Sequence, residues 1–291
     1  MLRVPDLYKT EKSMNLGKTI QIYLPDGNPK GIKIAEITSR TVMVIQIPRS
    51  KLDFAFSRKE LNNVGLYFLI GGKEEEIKPP LYIGEAEDVA KRLKQHNKQK
   101  EFWNTAVAVI SKTQYFTKTH IKFLEYYCHS EAEKAGRYKT ENSNIPQKPF
   151  ISEAMESDLM DNFDTIQMLV STLGFPIFDE IKRPEKGEIL VCKGKEAFAE
   201  GIFTEDGFVI FKGSKCNVTE TKSSHKYLID IREKLVDEKI LVQNGNTLEF
   251  KSDYVASSPS TAAAIVLGRN ANGWKLWKYK NGKTLDEVKR Q

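Results

Sequence analysis

The chain has 291 residues, 40% of them hydrophobic and 29% charged, with a net charge of +6 and a pI near 8.9. That length exceeds one ordinary domain, so two or three domains are expected of a composition that is otherwise typical of soluble globular proteins. The positive balance is compatible with a polyanionic partner but does not select one.

No run approaches the ~20 apolar residues of a membrane span, and the start MLRVPDLYKT lacks the apolar core of a secretory signal. Cys128, Cys192 and Cys216 are odd in number and lack metal-ligand spacing. Reduced thiols, no membrane and a cytoplasmic location are therefore expected.

In chain order, Thr19 to Leu24 and Gly31 to Ile37 read as strands around the turn-rich Pro25-Asp26-Gly27-Asn28-Pro29, and Val42 to Ile47 adds a third. Residues 1–60 are thus expected to form a small antiparallel accessory unit that docks on its neighbour, because three strands alone bury little. Next, Gly65 to Ile70 alternates, with Leu66, Phe68 and Ile70 on one face and Tyr67 and Leu69 on the other. After a polar loop to Pro80, the strand Leu81-Tyr82-Ile83-Gly84 turns Tyr82 away from Leu81 and Ile83, so two phenols share one side of a hairpin.

A helix is predicted over Glu85 to Lys100, with an apolar stripe of Ala86, Val89, Ala90 and Leu93. Arg92 and His96, four apart, point from one side of it, within a run of five bases free of carboxylates between Lys91 and Lys100. Taken singly those lysines read as a solvated helix face; as a group they suit phosphate. Thr105 to Ile110 reads as a buried central strand. A long helix starts at Thr117 with Ile121, Leu124, Cys128, Ala132 and Ala135 inward and stops at Gly136. Glu125 falls at the margin of its buried face, where a carboxylate is either a paired structural acid or a holder of a divalent cation. The irregular segment from Gly136 to Pro149 contains Asn142 and Asn144.

Taken together, Gly65-Leu66-Tyr67, Tyr82-Ile83-Gly84, Arg92, His96, Glu125 and a following Asn resemble the signature of the GIY-YIG nuclease family, with Leu66 in place of the middle Ile. The resemblance covers residues 62 to 150, and its specificity lies in the ordered set rather than in either tripeptide. It departs in the long insertion Gly72 to Pro80 and in the spacing to the Asn, where Asn142 fits better and Asn144 stays open. It implies an α+β domain over residues 61–150, a small three-stranded antiparallel sheet flanked by helices, that cuts phosphodiester bonds with one divalent ion, Mg²⁺ or Mn²⁺.

On that resemblance Glu125 would be the protein's carboxylate on the metal, and Arg92 would fork onto phosphate oxygens. Tyr67 would orient or deprotonate the attacking water, with help from His96, since a phenol with pKa near 10 is a poor base at neutral pH. Tyr82 would contact phosphate or complete the relay, the two phenols being exchangeable, and Asn142 would brace the site.

Ser152 to Leu173 is an amphipathic helix with Met155, Leu159, Phe163, Ile166, Leu169, Val170 and Leu173 inward. Ile151 to Arg183 holds seven acids and two bases, so residues 151–187 are expected to be a helical bridge, not a nucleic-acid surface. Residues 188–291 read as a C-terminal α+β domain. Its hairpins turn at Asp206-Gly207 and Asn244-Gly245, and its helices run from about Ser224 to Glu238 and from Ser258-Pro259 to Gly268. A strand is expected over Trp274 to Tyr279, in which Lys275, Trp277, Lys278 and Lys280 interleave bases and rings as a nucleic-acid face does, although tryptophans there equally suit a core.

Ser258-Pro259-Ser260-Thr261-Ala262-Ala263-Ala264 with Asn272-Gly273-Trp274 is similar to a domain of unknown function, DUF4357, found behind bacterial GIY-YIG nucleases, and to a small module associated with restriction and adenine-methylation enzymes. A DNA endonuclease of restriction, phage defence or repair, with the C-terminal domain selecting substrate, is the leading expectation. A nucleic-acid-binding or regulatory protein on a non-cleaving nuclease fold is the alternative, and oligomeric state is left open.

Overall fold

The computed structural model describes residues 17–72, 76–181, 188–221 and 225–290. The chain start, the middle of the loop before Pro80 and Ser224, all drawn on above, lie outside the described residues. By internal contacts the chain divides into two units, 1–180 and 181–291.

The first unit carries β1 (Gln21–Tyr23), β2 (Lys33–Glu36), β3 (Val42–Pro48), α1 (Leu52–Phe56), β4 (Gly65–Gly71), β5 (Pro80–Ala86) and α2 (Val89–Gln99). It continues with β6 (Trp103–Ser111), α3 (Lys118–Ala135), β7 (Lys139–Thr140) and α4 (Glu153–Thr172). The three-stranded sheet expected for the nuclease region is instead part of a seven-stranded sheet ordered β1-β2-β3-β6-β4-β5-β7. The difference comes from β6, whose second edge is taken by β3 in seven-residue register from Val42↔Ser111 to Pro48↔Thr105. A continuous apolar strand such as β6 needs partners on both sides and cover on both faces. The strands of the expected accessory unit at 1–60 are therefore hydrogen-bonded into the same sheet as the two-tyrosine hairpin.

Strand alternation gives each face its own core. Val44, Leu66, Phe68, Ile83, Val107 and Val109 face one way, against Ile121, Leu124 and Cys128 of α3 and Leu159, Phe163, Ile166 and Val170 of α4. Ile45, Ile47, Tyr67, Leu69, Ala106 and Ala108 face the other, against α1 and Val89, Ala90 and Leu93 of α2. The helix expected as a bridge is thus one of the covers of the sheet. Helix α3 begins at a capping box on Thr117 and ends at Gly136 in the left-handed region, φ 63°. Helix α2 starts later than its sequence pattern suggests: β5 runs on through Glu85 and Ala86, and Asp88 caps the helix by accepting the Lys91 N–H at 2.8 Å.

The second unit contains β8 (Leu190–Lys193), β9 (Phe198–Thr204), β10 (Gly207–Ile210), β11 (Lys215–Asn217), α5 (Lys226–Asp237), β12 (Leu241–Asn244) and β13 (Thr247–Phe250). It ends with β14 (Tyr254–Ala256), α6 (Pro259–Leu267), α7 (Gly273–Leu276), β15 (Lys278–Tyr279) and α8 (Leu285–Lys289). Its eight strands form one sheet that includes β14 and β15. Where a strand was expected from Trp274, the chain makes the helical turn α7, closed by the Leu276 N–H on the Asn272 carbonyl at 3.2 Å and the Trp277 N–H on the Gly273 carbonyl at 3.0 Å, with Gly273 against the Pro259 carbonyl where no Cβ fits.

Trp277 is fully buried, donating its indole N–H to the Pro259 carbonyl at 3.0 Å and lying 4.2 Å from the Phe208 ring, and Arg290 covers Trp274 at 3.5 Å. Trp277 is a packing residue, not a stacking platform, while Trp274 is half-buried between Phe203 and Arg290. Buried Arg232 spends its guanidinium on Glu220 and on the carbonyls of Asn217, Val218 and Ile265, tying α5 to α6 and to the end of β11 and the segment that follows it.

Among the described residues no helix is long and apolar enough to cross a membrane, and the three cysteines are free and buried.

Candidate active site

In the hairpin β4–β5, Tyr67 stands opposite Gly84 and Leu69 opposite Tyr82, so both phenols share the face covered by α2. Their ring centroids are 6.2 Å apart. Tyr67 lies flat across β5, and Gly84 is what permits it: a Cβ there would collide with the Tyr67 hydroxyl and come within 2.9 Å of Tyr82 Cε1. The last residue of the Tyr82-Ile83-Gly84 tripeptide is thus a steric requirement of the tyrosine in the other tripeptide.

Helix α2 brings Arg92 and His96 to the same phenol. The Tyr67 hydroxyl is 2.8 Å from His96 Nε2 and accepts from Arg92 Nε at 3.3 Å. Arg92 is exposed and also donates Nη1 to Gln95 Oε1 at 3.1 Å. His96 is 3% exposed, wedged between the two tyrosine rings at 5.4 and 5.2 Å. Burial, together with the Arg92 and Lys100 charges, pushes its pKa down to about 4, so the imidazole is neutral at physiological pH. Burial and the neighbouring Tyr82 raise the Tyr67 phenol well above its usual value, against the pull of Arg92. The resting pair is therefore phenol and neutral imidazole, not phenolate and imidazolium. Lys100 caps the group with its ammonium 4.4 Å over the Tyr82 ring.

Glu125 reaches the site from the other face, on α3. It is half-buried, and burial followed by the Glu85 carboxylate pushes its carboxyl up to about 7, opposed by the Glu85 backbone N–H, Lys122 and Arg92. Glu85, opposite Leu66 on β5, is the residue that sequence reasoning missed. Its helix-like neighbourhood in the sequence hides the alternation Leu81, Ile83, Glu85, which places it on the α3 face of the strand.

Two neighbouring carboxyls, one held near neutrality, make a spot that a divalent cation relieves. Hard oxygen donors in so small a number suit Mg²⁺ or Mn²⁺, which keep water ligands. Among the described residues no group of three or more His, Cys, Asp or Glu forms a closed metal cage.

Asn142 spends its side-chain amide on the backbone of β5. Its Oδ1 accepts the Ile83 N–H at 3.0 Å and its Nδ2 donates to the Ile83 carbonyl at 2.7 Å, so the side chain pairs with β5 as another strand would. Parallel β7 pairs the same strand at Pro80 and Leu81. Of the six predicted residues, Tyr67, Tyr82, Arg92 and His96 form one contact group, Glu125 approaches across β5, and Asn142 holds β5 itself. Asn144 is exposed.

Comparison with protein-family models matches residues 64–148 to the GIY-YIG catalytic domain and residues 190–289 to a domain of unknown function, DUF4357. No curated protein and no solved structure matches the chain.

Proposed function

We propose, from the premise that this chain joins a GIY-YIG catalytic domain at 64–148 to a DUF4357 domain at 190–289, that it is a metal-dependent endonuclease hydrolysing phosphodiester bonds of DNA. The domain itself makes the chain a nuclease-type protein. The observation that carries the finer reading is the Tyr67 hydroxyl shared between Arg92 Nε and His96 Nε2. A tyrosine kept only for packing has no need of a buried neutral imidazole and a guanidinium on its oxygen, at the expense of a Cβ in the neighbouring strand.

In this mechanism Tyr67 orients the attacking water by accepting its hydrogen bond, while its own O–H is directed at His96 Nε2. Neutral His96 fixes that direction, and a proton leaving the water has a two-step path along it. Arg92 holds the phenol through Nε and presents the rest of its guanidinium to the non-bridging phosphate oxygens. Tyr82, with Lys100 over its ring, walls the phosphate position. Glu125, with Glu85 beside it, would hold Mg²⁺ or Mn²⁺, which when bound neutralises charge developing on the phosphoryl and leaving oxygens. Asn142 acts through β5, keeping Gly84 and Tyr82 in place. The DUF4357 domain is assigned to substrate selection.

Relaxation of supercoiled plasmid with Mg²⁺ or Mn²⁺ tests this. Wild type is expected to nick, Glu125→Ala and Tyr67→Phe to lose at least two orders of magnitude in rate. A wild type that leaves supercoiled and single-stranded DNA intact, or variants that cut equally well, would overturn the reading.

A further inference from the structure

A cleft of about 430 Å³ opens between the outer face of α3 and the segment that follows β7, a size typical of small-molecule sites. Tyr126, His129 and Ser130 form one wall and Asn142 and Ile145 the other. It borders the active site in two ways. Glu125 precedes Tyr126 and lies one helical turn, about 6 Å along the axis, from His129. Asn142 meanwhile belongs both to the cleft and, through Ile83, to the strand carrying Tyr82 and Gly84.

The lining is wrong for phosphate. No lysine or arginine contributes to it, and one carboxylate, Glu133, does, held by the Thr140 hydroxyl. It suits a flat, neutral, partly polar ring. The ring of half-buried Tyr126 and Ile145, a large aliphatic side chain left 76% exposed, supply stacking surface. His129 is 7% exposed and lines the cleft with the edge of its imidazole.

We infer that this cleft is a nucleobase subsite, which takes the base of the nucleotide next to the scissile phosphate once it has left the stack. The inference rests on the nuclease reading above for the identity of the ligand, and it adds a preference for DNA whose base at that position is unpaired.

The test uses the full chain carrying Glu125→Gln, so that binding is read without cutting. Short single-stranded oligonucleotides carry 2-aminopurine, or an abasic nucleotide, at each position in turn. One position is expected to change 2-aminopurine emission on binding, and an abasic nucleotide there to weaken binding about tenfold. Adding Ser130→Trp, which fills the cleft from an exposed position, or Ile145→Asp at its mouth, should abolish both effects, with melting temperatures confirming that each variant folds. Emission unchanged at every position, or an abasic penalty that survives both substitutions, overturns the subsite. Plasmid nicking by the unsubstituted chain reads the nuclease assignment separately. A chain that nicks but shows no base signal loses the subsite alone; a chain that captures the base but never nicks keeps the subsite and loses the nuclease.

Discussion

The hydroxyl of Tyr67 is the atom on which the site turns, and its surroundings make Tyr67→Phe an informative substitution. Losing it removes the hydrogen-bond partner of His96 Nε2, and His96 Nδ1 is already buried without one among the described residues. The stability cost is then about 1–3 kcal/mol for the unsatisfied ring nitrogen. The rate loss is expected to be about 10²–10⁴-fold, with DNA affinity held by Arg92 and the lysines of α2.

In the proposed mechanism Glu125 sets the pH response. Its folded pKa of about 7 lies above the ordinary carboxyl value, so its ionised form is disfavoured in the free protein and protons compete with metal. Folding stability from this group is therefore full below the ordinary value and is lost as pH rises through about 7. Bound Mg²⁺ should reverse that loss. The melting shift caused by Mg²⁺ is expected to grow from pH 5.5 to pH 8, and nicking at limiting Mg²⁺ to rise across the same window. Glu85→Gln removes the carboxylate that pushes Glu125 up, so both curves should move to lower pH. Profiles unchanged in that variant would show that Glu85 does not act on Glu125.

At the scale of elements, β5 is the strand under most demand. It carries Tyr82, Gly84 and Glu85, yet among the described residues its outer edge has no strand partner beyond Leu81 and is held by Asn142. Asn142→Ala breaks two hydrogen bonds to Ile83, a loss of roughly 2 kcal/mol and a fall of about 4–8 °C in melting temperature. Because Asn142 acts on the reacting groups through β5, kcat should fall. Asn142→Asp keeps the acceptor for the Ile83 N–H but sets a carboxylate against the Ile83 carbonyl, and should recover little. A variant with normal melting and normal kcat would dismiss the clamp.

The sequence shows why Asn142 was legible as a site residue and not as a clamp. The family pattern marks its position, but its partners are backbone atoms of Ile83, 59 residues away, which no side-chain pattern encodes. The helix caps at Thr117 and Gly136 were legible because they are local chemistry, a side-chain acceptor for a free N–H and a residue able to take positive φ. The start of α2 was not, since Glu85 and Ala86 fit helical and strand periodicity alike.

For the molecule as a whole, the partition of the sheet decides which fragments fold. Sequence pattern located β1 to β3 but not their destination, because pairing of β3 with β6 joins segments about sixty residues apart and leaves no local trace. With Val44, Ile45 and Ile47 at 0% exposure, β3 is an interior strand of the sheet. A fragment beginning at residue 61, as the family pattern alone suggests, strips β6 of a full-length partner and bares a flat, apolar edge. It is expected to aggregate and to show no nicking. A fragment ending near residue 181 keeps both cores of the seven-stranded sheet, including the α4 cover. It should melt cooperatively and nick DNA with the Mg²⁺ and pH dependence of the whole chain, while losing whatever selectivity the second unit confers.

Trimming only residues 252–291 is predicted to do more damage than removing that unit entirely. It deletes β14, β15, α6 and buried Trp277, and bares the strands β8 to β11 that α6 packs against. Limited proteolysis and melting of the three truncations separate these outcomes. A soluble, active fragment from residue 61 would show that β1 to β3 are dispensable to the catalytic sheet.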